Sequence, residues 1–288
     1  MLGINTNAPS LGAQMNLSKS AGSLETSIAR LSSGLRVNSA KDDAAGLAIA
    51  ERMTAQIRGF DVAARNANDG ISLLQVADGA LGKITDNLQR MRELGVQAKN
   101  GTLNDTDRAN LNREFTELAN EVGRVATGTT FNGNNVFEAA NKTVDLQIGS
   151  GNVASDTLSV NLTDTGTAAG NDLQTTLGGA TQAAIVTAFG GVDTVANATT
   201  AITEIDTAIN DITNLRATTG ASLSRLDQVV SSLETTSANL SSARGRIMDA
   251  DFAKETANLT RAQILQQAGT AMLAQANQLP NNVLSLLR

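Results

Sequence analysis

The chain reads as a mainly α protein: a long antiparallel helical bundle, or coiled coil, of N- and C-terminal segments with a small β-hairpin region at its far end. Three observations carry that reading. Apolar residues recur at steps of seven along two long stretches, as they do in helix–helix seams. Pro occurs only at Pro9 and Pro280, so nothing between them stops a long helix. Aromatic residues are 2 % of the chain and all are Phe. A core without large rings must be built of Leu, Ile, Val, Met and Ala, the residues of helix seams.

The first helix opens at Asn7-Ala8-Pro9, a cap followed by a first-turn proline. Leu17, Leu24, Ile28, Leu31 and Leu35 line it, and Ser33-Gly34 ends or bends it, because Gly accepts the left-handed conformation at a helix end. After a short link, Ser39-Ala40-Lys41-Asp42 resembles a capping box, with Asp42 and Asp43 favouring the positive end of the next helix.

That second helix is expected from about Asp43 to Lys99. Met53, Phe60, Ala67, Leu74, Leu81 and Leu88 hold one heptad position; Ile57, Ala64 and Ile71 hold its companion. At 1.5 Å per residue it makes a rod roughly 85 Å long. Gly59, Gly70, Gly79, Gly82 and Gly95 lie inside it. Each costs about 1 kcal/mol against Ala, so packing must supply the difference.

Asn104 to Asp107 caps a third helix striped by Leu111, Phe115, Leu118, Val122 and Val125. The period then changes. Phe131-Asn132-Gly133-Asn134 signals a turn, and Val144, Leu146, Ile148 and Leu158, Val160, Leu162 alternate as strands do. Residues 163–197 are rich in Gly, Ala and Thr with weak periodicity, and read as a short variable surface insertion.

The last long helix starts near Ala198, with Ile205, Ile212, Leu226, Leu233, Leu240 and Ile247 on one heptad position and Thr219 at a skipped place. Gly245, Asp249 and Asp251 interrupt it and cap a fresh helix. From Ala262 to Leu287 that helix carries no charged side chain, and residues 1–18 carry none either. Its amides make it too polar for a membrane span, which needs about 20 predominantly apolar residues. Both terminal segments therefore need a protein surface to cover them. Two readings of the seams stay open, within one chain or between chains, the outer helices favouring the first and the terminal pair the second. The expected organisation is an inner terminal domain of 1–38 with 249–288 and an outer helical bundle of 39–162 with 198–248.

Composition narrows the function. A net charge of −6 argues against nucleic acid or an anionic membrane as partner, since both need basic patches. The chain has no His and no Cys, hence no Ser–His pair, thiol nucleophile or HExxH zinc site. An enzyme is not expected, nor a cofactor or metal; the paired Asp residues read as helix caps. The N-terminal run MLGINTNAPSLGAQMN has neither basic n-region nor apolar h-region, so a Sec signal peptide is not expected.

The runs LSSGLRVNSAKDDAAGLAIAERM (Leu31–Met53) and QRMRELGVQAKN (Gln89–Asn100), and the C-terminal ARGRIMDADFAKETANLTRAQILQQAGTAMLAQANQLPNNVLSLLR, resemble the bacterial flagellin signature. The resemblance spans residues 1–150 and 200–288 and implies a short flagellin with a minimal central region. It implies a structural subunit of the flagellar filament, exported by the flagellar type III route and polymerised outside the cell for swimming motility. The alternatives are a hook–filament junction protein or a soluble coiled-coil interaction module.

Core assembly then falls to Leu17, Leu24, Leu31, Leu259, Leu265, Met272, Leu273, Leu279, Leu286 and Leu287. Implied partners are many copies of itself, the flagellar cap, junction proteins and an export chaperone. The resemblance also places innate recognition by the host flagellin-sensing Toll-like receptor on Arg90, Leu94 and Glu114, residues that also serve subunit contacts. Leu286 to Arg288 resembles the tail met by cytosolic flagellin sensors.

Overall fold

The computed structural model describes residues 7–137, 143–163 and 187–286, the last eight of these by backbone alone. Five long helices dominate: α1 (Ala8–Ser33), α2 (Ala44–Ala98), α3 (Asp105–Gly128), α4 (Val195–Met248) and α5 (Phe252–Leu286). The strands are β1 (Thr130–Phe131), β2 (Asn134–Asn135), β3 (Thr143–Gln147) and β4 (Thr157–Asn161). Two compact units form, one of Met1–Ile57 with Ala238–Arg288 and one of Arg58–Ser237. None of the described helices is long and apolar enough to cross a membrane.

In the Arg58–Ser237 unit the heptad rows become the core. Leu74, Leu81 and Leu88 of α2 are fully buried with Ile84 and Met91, against Phe115 and Val122 of α3 and Ile205, Ile212 and Leu226 of α4. The skipped place, Thr219, is buried too, and its hydroxyl donates to the Leu215 carbonyl oxygen at 2.8 Å, so the polar atom is satisfied within its own helix. Arg92 pairs with Asp206 at 2.6 Å and Arg216 with Asp78 at 2.8 Å, linking α2 to α4 along the solvent side.

The β region is two hairpins rather than one. β1 and β2 join through Asn132 (φ 50°) and Gly133 (φ 78°), the left-handed pair a tight hairpin turn requires. β3 and β4 pair antiparallel from Thr143↔Asn161 to Gln147↔Thr157. Leu158 and Val160 of β4, and Leu162 just beyond it, point into the core. β3 lies close on α2: a Cβ at Gly70 would stand 2.3 Å from Leu146 Cδ1, and one at Gly59 would stand 2.5 Å from Ser150 Cβ. These two glycines of the long helix admit the hairpin, while Gly79 and Gly82 face open space.

Four expectations change in detail. Ser39–Asp42 closes a turn ahead of α2 rather than capping it: the Asp42 carboxylate accepts from Asn38 N, Ser39 N and the Ser39 hydroxyl. Asp43 is the cap, accepting from Gly46 N at 2.8 Å. Gly245 does not interrupt the last long helix, which runs on to Met248; the break lies at Asp249–Asp251. α4 begins at Val195. Residues 164–186 of the expected 163–197 insertion lie outside the described residues, and its described end is packed rather than superficial, with Phe189 and Val192 buried and Val192 N donating to Asn112 Oδ1 at 2.7 Å.

In the other unit, Asn7 caps α1 by accepting from Ser10 N, and Gly34 (φ 72°) ends it with its N–H on the Arg30 carbonyl. The two chain breaks then meet. Arg36 N donates to Met248 O at 2.6 Å, Ala250 N donates to Gly34 O at 2.9 Å, and Leu35 bridges Asp249. Val37, beside this crossing, is fully buried.

Candidate assembly interface

α1 and α5 pack antiparallel, the start of one against the end of the other. At one end Asn7 Nδ2 donates to Ala276 O at 2.9 Å and the Ser10 hydroxyl donates to Asn277 Oδ1 at 2.8 Å. At the other, the Ser27 hydroxyl donates to Glu255 Oε2 at 3.1 Å and Arg30 Nη1 to Glu255 Oε1 at 3.2 Å. Between these ends the seam follows two rows of seven-residue steps. α1 offers Ser10, Leu17, Leu24 and Leu31; α5 offers Glu255, Ala262, Gly269 and Ala276. Leu17 sits over Gly269, where a Cβ would come within 3.2 Å of Leu17 Cδ1.

Glu255 is buried, and burial pushes its carboxyl up. Hydrogen bonds from Arg30, Ser27 and Asn258, with the Arg30 charge, outweigh that and hold it below the usual glutamate range. A groove of about 720 Å³ opens beside the cluster, lined by Lys19, Ser23, Asn258, Arg261 and Leu265 among others. Asp251 caps α5, its Oδ1 accepting from Ala253 N and Lys254 N. Among the described residues no three His, Cys, Asp or Glu side chains cluster as a metal site.

Burial in this unit is incomplete by comparison with a normal core. Its buried apolar side chains, among those described, are Val37, Ala50, Ala262 and Ala276. Seven large apolar side chains on α1 and α5 are exposed, namely Leu11, Met15, Ile28, Phe252, Ile264, Leu265 and Met272, while Leu17, Leu24, Leu31, Leu259 and Leu273 are half-buried. Isolated exposed apolar residues are ordinary, but seven on two adjoining helices make this pair a candidate interaction surface.

Family comparison shows what kind of protein carries this surface. The bacterial flagellin N-terminal helical region matches residues 4–142, and the bacterial flagellin C-terminal helical region matches residues 202–287. The chain belongs to the bacterial flagellin family. A flagellin of Halalkalibacterium halodurans is 43 % identical over 287 residues, covering 99 % of both chains, and one of Xenorhabdus nematophila is 42 % identical over 314, again covering 99 % of both. The crystal structure of Bacillus cereus flagellin aligns with TM-score 0.47 and 36 % identity over 59 % of this chain and 88 % of that one. This flagellin is accordingly a structural subunit of the flagellar filament, an extracellular assembly. The junction-protein and soluble-module readings are not favoured.

Within this flagellin the expected assembly residues separate into two groups. Leu17, Leu24, Leu31, Leu259 and Leu273 are half-buried on the α1–α5 seam. Leu265 and Met272 lie off the seam and are exposed. The Leu279 and Leu286 side chains, and Leu287, lie outside the described residues. Leu11, Met15 and Ile264, also exposed on these helices, were not among the expected residues because each falls off the heptad rows. Of the proposed receptor trio, Arg90 donates to Glu114 Oε1 through Nε (3.1 Å) and Nη2 (2.8 Å) on an exposed face, and also pairs with Glu93. Hydrogen bonds from Glu114 and Glu93 raise the Arg90 guanidinium above its ordinary value. Leu94, by contrast, is 1 % exposed and belongs to the core.

Proposed function

We propose that α1 and α5 form the inner, filament-core element of this flagellin, residues 1–38 with 249–288, and that neighbouring copies cover their exposed apolar faces. Residues 39–162 and 198–248 then form the outer bundle. One observation carries the reading: burial in the helix pair is incomplete, with only Ala, Ser and the paired Glu255 buried, Leu half-buried on the seam, and Leu11, Met15, Ile28, Phe252, Ile264, Leu265 and Met272 left outside. A surface of that kind is covered by many identical contacts when subunits stack on a helical lattice. The absence of charged side chains from residues 1–18 and 262–287 supports it, because charged groups buried between copies would need partners. The filament cap, junction proteins and export chaperone are proposed to act on the same segments before or at assembly. The role is structural, without catalysis.

Seeded polymerisation viewed by electron microscopy tests this. The full chain should give long helical filaments, and a chain lacking residues 1–33 and 252–288 should stay soluble and unpolymerised. Filaments from the truncated chain would refute the role given to α1 and α5.

For recognition by the host receptor, the exposed Arg90–Glu114 pair supports a contact made at those two side chains, with Leu94 shaping the helix from beneath. Arg90→Ala should weaken receptor signalling by intact protein; undiminished signalling would remove the assignment.

A further inference from the structure

Cys, Trp, Tyr and His are all absent from this chain, which leaves the methionine thioethers as its chief oxidisable groups. The described methionines differ sharply in access. Met91 is fully buried in the helical core, and Met53 and Met248 are half-buried. Met15 on α1 and Met272 on α5 are 60 % and 64 % exposed, and both sit outside the α1–α5 seam among the uncovered apolar side chains.

We propose that Met15 and Met272 are oxidative modification sites of the free subunit, and that their oxidation blocks polymerisation. A peroxide-class oxidant transfers one oxygen atom to the thioether sulfur. The sulfur's lone pair forms the S–O bond, the peroxide O–O bond breaks, and the peroxide is reduced to water as the thioether becomes a sulfoxide. The product is polar and chiral where the original was apolar and flexible. It rests on the reading that neighbouring copies cover these faces, for only then does the sulfoxide have to enter an apolar contact. Burying a polar group there without a partner is unfavourable. The same covering makes the sites inaccessible once a subunit is in the filament. Methionine sulfoxide reductase with a dithiol reductant reverses the step: the dithiol is oxidised to a disulfide, the sulfoxide oxygen leaves as water, and the returned thioether restores assembly competence.

The test treats full-length subunits with graded hydrogen peroxide, maps sulfoxide by peptide mass spectrometry, and follows seeded growth, each protein being compared with its own untreated sample. Loss of growth should track sulfoxide at Met15 and Met272. It should reach about tenfold or more, the order expected when a buried methionine's contribution is lost. Reductase treatment should reverse it. A Met15→Leu/Met272→Leu variant should keep its own untreated growth rate after peroxide, and a Met53→Leu/Met248→Leu variant should remain sensitive. Undiminished growth with both sites converted, or a loss that persists in the Met15→Leu/Met272→Leu protein, overturns the proposal. Should that variant not polymerise, the occupancy correlation and reductase rescue decide alone. Preformed filaments treated alongside separate the two levels. Protection of Met15 and Met272 there, with oxidised subunits still growing, refutes only the oxidation proposal. Equal reactivity in filament and subunit refutes the covered-face reading itself.

Discussion

Glu255 is a carboxylate buried between two helices that otherwise meet through Leu, Ser, Ala and Gly. Burial alone would raise its pKa, but Arg30, Ser27 and Asn258 depress it. A depressed carboxylate contributes stability that is present above its unfolded value, about 4.3, and is lost as pH falls through the lower folded value. Acidification from neutrality through that window should therefore loosen the α1–α5 pairing in assembled filaments, and Glu255→Gln should flatten this acid limb. Circular dichroism of filaments against pH reads both; identical acid profiles would sink the assignment. Glu255→Ala goes further, leaving Arg30 without its partner at a cost of about 1–3 kcal/mol. None of this was visible to heptad counting, which weighs apolar positions and passes over a lone Glu at the same spacing. The caps at Asn7 and Asn104 and the stop at Gly34 were visible, because their hydrogen bonds are made within a few residues of chain.

Helix α2 shows what a one-dimensional reading weighs equally and packing separates. Gly70 lies under Leu146, whereas Gly79 has no atom within contact range. Gly79→Ala should stabilise the free subunit by roughly 1 kcal/mol through helix propensity. Gly70→Ala gains the same propensity but forces Leu146 aside, a displacement that costs about 1–3 kcal/mol in a packed site, so its thermal midpoint should not rise. Equal shifts in thermal unfolding would show that the hairpin does not rest on that glycine. Helix α5 was legible as a helix but not in its faces. Leu259 and Leu273 turn to the seam while Ile264, Leu265 and Met272 turn out. A helix normally marks its outer side with charge, and α5 carries none from Ala262 onward, so the usual cue was missing. The β region was legible as alternation and a turn, yet the seating of β3 against Gly70 of α2 was not, because it joins residues far apart in the chain.

The whole molecule is a subunit whose two ends are joined in space and left unfinished in burial. Heptads, caps and the long flagellin-like runs made the helices and the family legible; what required coordinates was the incomplete burial of the terminal pair, with seven large apolar side chains left outside its seam. In the filament, neighbouring copies are proposed to bury those outward side chains. Because the chain has no Cys, a single Leu265→Cys or Met272→Cys reports on one position without background. Thiol-labelling rates compared between free subunits and seeded filaments are the direct measurement. Labelling should be rapid in the subunit and strongly suppressed in the filament at both positions; equal rates in the two states would show that neighbouring copies leave these side chains uncovered.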